Sequence, residues 1–365
     1  MGKPKVAIVH DYLWTVGGAE KVVEALAVTF PEAPIYTSFL LAEKMKKEGF
    51  GVDLKKVKTT WMQFLPFKRQ LYKFYFLLYP LAFRSLNLKG YDVVITSSSY
   101  AAIHTTVKEG INVCYCHTPS RYLYGYDTEL DHAKIKRYLP FMGWLYSVVR
   151  KWDQDSARRV DYFVTNSKET QGRIQKHYQR SAEVIYPPVD IKKFAELKPT
   201  TGNYFFTYGR LVAHKRTDII VEAFNELGWP LKVAGSGLEF EKLKKMAKSN
   251  VEILGRVDDE KLKKLIAGCK AVIFAAEEDF GIVPVEAQAA RKPVVAYFAG
   301  GVLESVVPKV SGVFFKHQTP QSLKEALEDF NPKEFDPDMI GQNAQRFSVE
   351  TFQTNMKRLV EKLYG

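Results

Sequence analysis

Glu278-Asp279-Phe280-Gly281-Ile282-Val283-Pro284-Val285-Glu286 is the stretch on which the reading of this chain turns. Two carboxylates stand eight positions apart, on either side of a Phe-Gly step and a proline. Upstream, Ala271-Val272-Ile273-Phe274 is a short apolar run of the buried-strand type. Downstream, Val285-Glu286-Ala287-Gln288-Ala289-Ala290 has helix-forming composition. Strand, loop and helix in that order make half of a crossover unit, from which parallel sheets are built. Glu286 lies early in the helix, where the helix dipole favours a carboxylate whether or not it binds anything. Glu278 lies in the loop, beside the backbone amides of Phe280 and Gly281.

The same alternation runs outward in both directions. Upstream strand signals are Lys5 to His10, Ile35 to Thr37, Val93 to Thr96, Asn112 to Cys116 and Tyr162 to Thr165. A break follows at Tyr186-Pro187-Pro188-Val189-Asp190, since two prolines in succession fit neither a helix interior nor a central strand. The pattern restarts with Tyr204 to Tyr208, Leu231 to Ala234, Val251 to Leu254, Ala271 to Phe274, Pro293 to Ala296 and Gly312 to Phe315. Val349 to Leu363 reads as a terminal helix. The expectation is an α/β chain of two doubly wound, parallel-sheet domains joined near residues 187–203. Their expected bounds are 1–190 and 191–345, with a final helix over 346–365.

Bulk properties narrow the class. A chain of 365 residues exceeds one ordinary core, and 46% apolar with 26% charged residues is globular composition. Fifty-three Lys and Arg against 41 Asp and Glu give a net charge of +12, which attracts anionic partners. No nucleic-acid-binding motif is present, so phosphorylated small molecules or an acidic membrane surface are the expected partners. Cys114, Cys116 and Cys269 lack metal or redox spacing and read as inert buried thiols. No apolar run approaches the roughly 18 residues of a membrane span. A cytoplasmic protein is expected, with peripheral attachment at the inner membrane face left open.

The chemistry-bearing residues sit where such folds bind ligands, beyond the carboxyl ends of strands. Gly17-Gly18 separates the first strand from its helix, and a helix start without a Cβ lets backbone approach an anion. Arg210 and Lys215 follow the first strand of the second domain. Arg clamps phosphate oxygens and Lys adds a mobile charge, so fixed cations here would stabilise a departing diphosphate. The bland alternative is a solvated basic turn with His214 and Arg216. Carboxylates at Glu278 and Glu286 are suited to sugar hydroxyls. His117 follows a strand and could donate to a phosphate or a hydroxyl; His10 and Asp11 are similarly placed. Neither GxGxxG nor a P-loop occurs, which argues against dehydrogenase and ATPase readings. Asp258-Asp259 is explained by helix capping and Asp336-Pro337-Asp338 is expected in a Pro-rich loop, so no carboxylate cluster demands a metal.

In combination these strings resemble the E-x7-E retaining glycosyltransferases of family four. The resemblance rests on His10-Asp11-Tyr12-Leu13 with Gly17-Gly18-Ala19-Glu20, Cys116-His117-Thr118-Pro119, Tyr186 to Asp190, Gly209-Arg210-Leu211 to Lys215-Arg216, Gly255-Arg256-Val257 and Glu278 to Glu286. It is most similar to mannosyltransferases of bacterial O-antigen and exopolysaccharide assembly. The resemblance implies a GT-B architecture of two Rossmann-like domains, the C-terminal helix crossing back to the first. It implies a hexose, with GDP-mannose the best guess, moved from a nucleotide diphosphate sugar onto a glycan or polyprenyl-linked acceptor, with no cofactor and no metal. By that resemblance Arg210 and Lys215 bind the diphosphate, Glu286 the ribose, and Glu278 with Phe280-Gly281 the transferred sugar. Gly17 and Gly18 close over the phosphates, His117 contacts the sugar, and Val257 meets the base through its backbone. Three positions depart from the family pattern. Ser236 replaces a common acid and Ala275 a frequent proline. Arg291 stands where glycine is usual; a left-handed arginine would be strained, so that helix end is expected to be built differently.

Two other functional classes compete: an epimerase acting on the nucleotide sugar itself, and a basic, non-catalytic adaptor. The motif order and the intact Arg210, Lys215, Glu278 and Glu286 speak against both. Trp61 to Phe76 interleaves aromatics with Lys68, Arg69 and Lys73. It reads either as an interfacial face for anionic lipid or as a buried helix pair with snorkelling ends.

Overall fold

Short β-branched and aromatic runs form two parallel sheets in the computed structural model, which describes residues 2–71, 74–126, 142–197 and 202–365. The chain divides into two compact units. One comprises Met1–Pro188 with Val349–Gly365, the other Val189–Ser348. Residues 198–201 of the expected linker and Lys73 of the aromatic segment lie outside the described residues.

Unit one carries β1 (Val6–His10), β2 (Ile35–Thr37), β3 (Val57–Thr59), β4 (Val93–Ser98), β5 (Ile111–Cys116), β6 (Tyr162–Thr165) and β7 (Glu183–Val184). Their order in the sheet is β3-β2-β1-β4-β5-β6-β7, all parallel. β1 and β4 are buried along their whole length, as strands covered on both faces must be. The chain leaves β1 toward one edge and returns to β4 on the other side, so the ligand-binding switch point lies between these two strands.

The helix Val349–Tyr364 belongs to this unit although it ends the chain. Phe352, Met356, Leu359 and Val360 form its one apolar stripe, at the i, i+4, i+7, i+8 spacing of a surface helix. They join a core with Val22, Val23 and Leu26 of the helix Gly18–Thr29. Phe352 also meets Tyr115 edge-on, ring centres 5.7 Å apart. Burying such a side chain contributes about 2–3 kcal/mol, which ties the C-terminus to the first unit.

Unit two carries β8 (Phe205–Arg210), β9 (Leu231–Ser236), β10 (Val251–Gly255), β11 (Val272–Phe274), β12 (Val294–Tyr297) and β13 (Gly312–Phe315). Their order is β10-β9-β8-β11-β12-β13, again parallel. Its switch point lies between β8 and β11. The two-domain, Rossmann-like α/β expectation and the returning C-terminal helix are both observed.

Three local expectations are corrected. Arg291 keeps the left-handed turn, with φ at 59°, rather than rebuilding the helix end. Its guanidinium meets Asp338 at 2.8 Å, and the strain of about 1 kcal/mol is carried in place. Asp336-Pro337-Asp338 is a helix start: the Asp336 carboxylate accepts from Asp338 N–H at 2.8 Å. Among the described residues of the aromatic segment there is no buried helix pair. It runs through short turns, Trp61–Phe64, Lys68–Leu71 and Phe74–Leu77, with Phe64 and Phe67 exposed. The capping reading of Asp258 holds, its carboxylate accepting from Lys261 N–H at 2.7 Å.

Candidate active site

In unit two the residues following β8 and β11 meet at the switch point. Arg210 is the last residue of β8 and is exposed; Lys215 ends the 3-10 turn Ala213–Lys215. Glu278 follows β11. The Lys215 ammonium is paired with the Glu278 carboxylate, each side chain about one-fifth exposed (22% and 21%). Gly301 N–H donates to the Glu278 carbonyl at 2.9 Å and fixes that loop. Tyr208, Arg210, Lys215, Thr217 and Glu278 all line one recess. Arg216 is turned away, to Asp218 at 3.2 Å.

Gly281 caps the helix Ile282–Ala289 with φ at 86°, a left-handed conformation that a side chain resists. Phe280 is buried against Phe347, so its ring anchors the loop. Glu286 does not itself line the recess. The Tyr208 hydroxyl joins it to the recess, donating to Glu286 Oε2 at 2.9 Å. Burial pushes the Glu286 carboxyl up to about 7; the Tyr208 hydrogen bond and Lys193 pull it down, while Asp259 and Asp190 add to the rise. Val257 lies between β10 and the helix Asp259–Gly268 and is partly exposed.

The glycines of Gly235-Ser236-Gly237 have a packing role that the sequence left unassigned. A Cβ on Gly235 would strike the Gly209 carbonyl, and one on Gly237 the Leu211 carbonyl. The end of β9 therefore lies close against the strand end that carries Arg210.

In unit one, Gly17 is extended rather than sharply turned, with φ at −137°, and caps the helix Gly18–Thr29. Its N–H is taken by Glu20 Oε2 at 2.8 Å, and the same carboxylate lies 3.6 Å from His10 Nε2. Burial lowers the His10 imidazole, but Glu20, Asp11 and the Ser97 carbonyl outweigh it and raise the group overall. Ser97 Oγ bridges the two histidines, 3.0 Å from His10 Nδ1 and 2.8 Å from His117 Nε2. Burial and the neighbouring His10 hold His117 down to about 3, so it is neutral at physiological pH. Asp11 is a loop clamp. Its carboxylate accepts from the Ser98 hydroxyl and from the N–H groups of Ser99, Tyr100, Ala101 and Ala102, at 2.7–3.2 Å. All three cysteines are buried, and burial pushes the Cys114 and Cys269 thiols up to about 12, which leaves them inert.

Two Rossmann-like units, the E-x7-E carboxylates and a cation-lined recess define a glycosyltransferase of GT-B fold. Residues 16–193 match the model of Glycosyltransferase Family 4 and residues 188–347 that of Glycosyl transferases group 1. Together the two glycosyltransferase models span residues 16–347. It is similar to the uncharacterized glycosyltransferase MJ1178 of Methanocaldococcus jannaschii, 27% identical over 56% of this chain and 59% of that protein. It is also similar to the mouse alpha-1,3/1,6-mannosyltransferase ALG2, 25% identical over 68% of this chain and 67% of that one. The O-antigen chain mannosyltransferase C of Escherichia coli is 28% identical over 45% of this chain and 46% of its own length. Among solved structures, Anabaena Alr3699/HepE in complex with UDP and glucose superposes with a TM-score of 0.69 at 20% identity. That match covers 99% of this chain and all of the other.

Proposed function

We propose that the chain transfers a hexosyl group with retention from a nucleotide diphosphate sugar to a glycan or polyprenyl-linked acceptor in surface polysaccharide assembly. Mannose from GDP-mannose is the favoured donor, a reading supported by relatives named as mannosyltransferases. The carrying observation is the recess at the β8–β11 switch point, where Arg210, Lys215 and Glu278 come together.

Each residue has a task in this reading. Arg210 and Lys215 hold the diphosphate and stabilise its growing charge as the anomeric bond breaks; no metal is assigned to that work. Lys215 exchanges its Glu278 partner for phosphate when donor arrives. Glu278 then turns to the sugar hydroxyls, with the Phe280-Gly281 backbone as a second support. Glu286 takes the ribose and Val257 the base. Gly17 and Gly18 serve the phosphates and His117, as a neutral imidazole, the sugar. The acceptor attacks on the face the diphosphate leaves, and the departing phosphate takes its proton.

The exposed Phe64 and Phe67, with Lys68 beside them, support an anionic lipid surface as the place of work. Among the described residues no helix is long and apolar enough to cross a membrane.

Lys215→Ala and Glu286→Ala test the assignment. Each is expected to lower kcat/KM by roughly 100- to 1,000-fold, the usual cost of one group that stabilises transition-state charge or fixes substrate. Thermal unfolding should remain cooperative in both. Near-normal turnover in both would contradict the site.

A further inference from the structure

Tyr208 stands within β8, two residues before its end, with its ring stacked on Phe206, centres 5.2 Å apart and planes 19° apart. Its hydroxyl has a single proton. Glu286 Oε2 lies 2.9 Å away and the Val283 carbonyl 3.5 Å, so the shorter contact takes that proton. Among the described residues no other hydrogen bond reaches the Glu286 carboxylate. The charged groups around it are few. Lys193 and Asp190 come from the segment ahead of β8, and Asp259 from the start of its helix. Lys193 is itself engaged with Asp259, at 2.8 Å.

We propose that Tyr208 is a positioning residue for nucleotide binding: its hydroxyl fixes one oxygen of Glu286 and keeps the carboxylate ionised, leaving the other oxygen to the ribose hydroxyls. This rests on the reading of Glu286 as the ribose ligand. An ionised carboxylate can only accept hydrogen bonds, which suits a diol; a protonated one loses acceptor capacity. A Glu286 poised near neutrality by burial makes that distinction matter in the working pH range. Tyr208 favours the ionised form because a hydrogen bond to a charged acceptor is stronger than one to a neutral acid.

The test is the affinity of GDP and of UDP, measured by calorimetry from pH 5.5 to 9, for wild type, Tyr208→Phe and Glu286→Gln. Phenylalanine keeps the ring on Phe206 and removes only the hydroxyl. The nucleotide's own phosphate titration is common to all three proteins and cancels in ratios to Glu286→Gln. The wild-type ratio should rise through a midpoint near neutrality. Tyr208→Phe should move that midpoint up by about one pH unit or more, weaken binding at pH 7 by up to roughly tenfold, and recover by pH 9. An unshifted midpoint in Tyr208→Phe, with Glu286→Gln clearly weakened, overturns the role of Tyr208 and leaves the ribose reading intact. A Glu286→Gln protein that binds as tightly as wild type at pH 9 overturns the ribose reading, and the proposal with it. Failure of both nucleotides to bind wild type does the same.

Discussion

Replacing Asp11 by alanine would strip the acceptor from the Ser98 hydroxyl and from the consecutive N–H groups of Ser99, Tyr100, Ala101 and Ala102. The residue is buried (5% exposed), so water cannot easily take its place. At about 1.5–3 kcal/mol per hydrogen bond to a charged group, simple addition would exceed 7 kcal/mol. That overshoots, because the desolvation cost of the carboxylate disappears with it. Breaking a comparable buried network costs about 3–5 kcal/mol. A unit of this size loses roughly 2–4 °C per kcal/mol, so melting of unit one should fall by roughly 6–20 °C in scanning calorimetry. Asp11→Asn should fall between. Its retained oxygen can serve Ser98, Ala101 and Ala102, but its amide faces the Ser99 and Tyr100 N–H groups. A loss under 1 kcal/mol in Asp11→Ala would refute the clamp and return Asp11 to the list of candidates for chemistry.

Two further outcomes are expected. Asp153 is buried, accepts from the Tyr124 and Tyr178 hydroxyls at 2.8 and 2.9 Å, and burial raises its carboxyl from 3.8 to about 7. The native state therefore holds a proton that the unfolded chain releases; the contribution is full below about pH 4 and lost as pH rises through about 7. Asp153→Asn should accordingly compare better with wild type at pH 8 than at pH 5 in urea unfolding, and an equal difference at both would contradict the assignment. Serine at Phe64 and Phe67 together with charge reversal at Lys68 should reduce co-sedimentation with anionic vesicles; unchanged binding would remove the lipid-facing reading.

The central strands were legible because burial on both faces writes itself as unbroken apolar runs, as in Val93 to Thr96 and Val272 to Phe274. β3 and β7 were not. They are edge strands, three and two residues long, with partly exposed side chains and no apolar run to betray them. The candidate residues Arg210, Lys215, Glu278 and Glu286 could be named from residue type and spacing. Their linkage could not, since Tyr208 reads as one more aromatic in a strand until its hydroxyl is placed 2.9 Å from Glu286. The partners of Asp11 were hidden for the same reason: only the loop after β4, nearly ninety residues on, shows what its carboxylate holds. Arg291 misled differently. Propensity disfavours a left-handed arginine, yet Arg291 adopts that conformation, with its guanidinium beside Asp338.

The most direct measurement is a crystal structure of the protein with intact nucleotide diphosphate sugar bound. The diphosphate is predicted to lie against Arg210 and Lys215, the latter released from Glu278, with the ribose on Glu286. A donor seated away from these side chains, or a Lys215–Glu278 pair undisturbed by bound donor, would contradict the account.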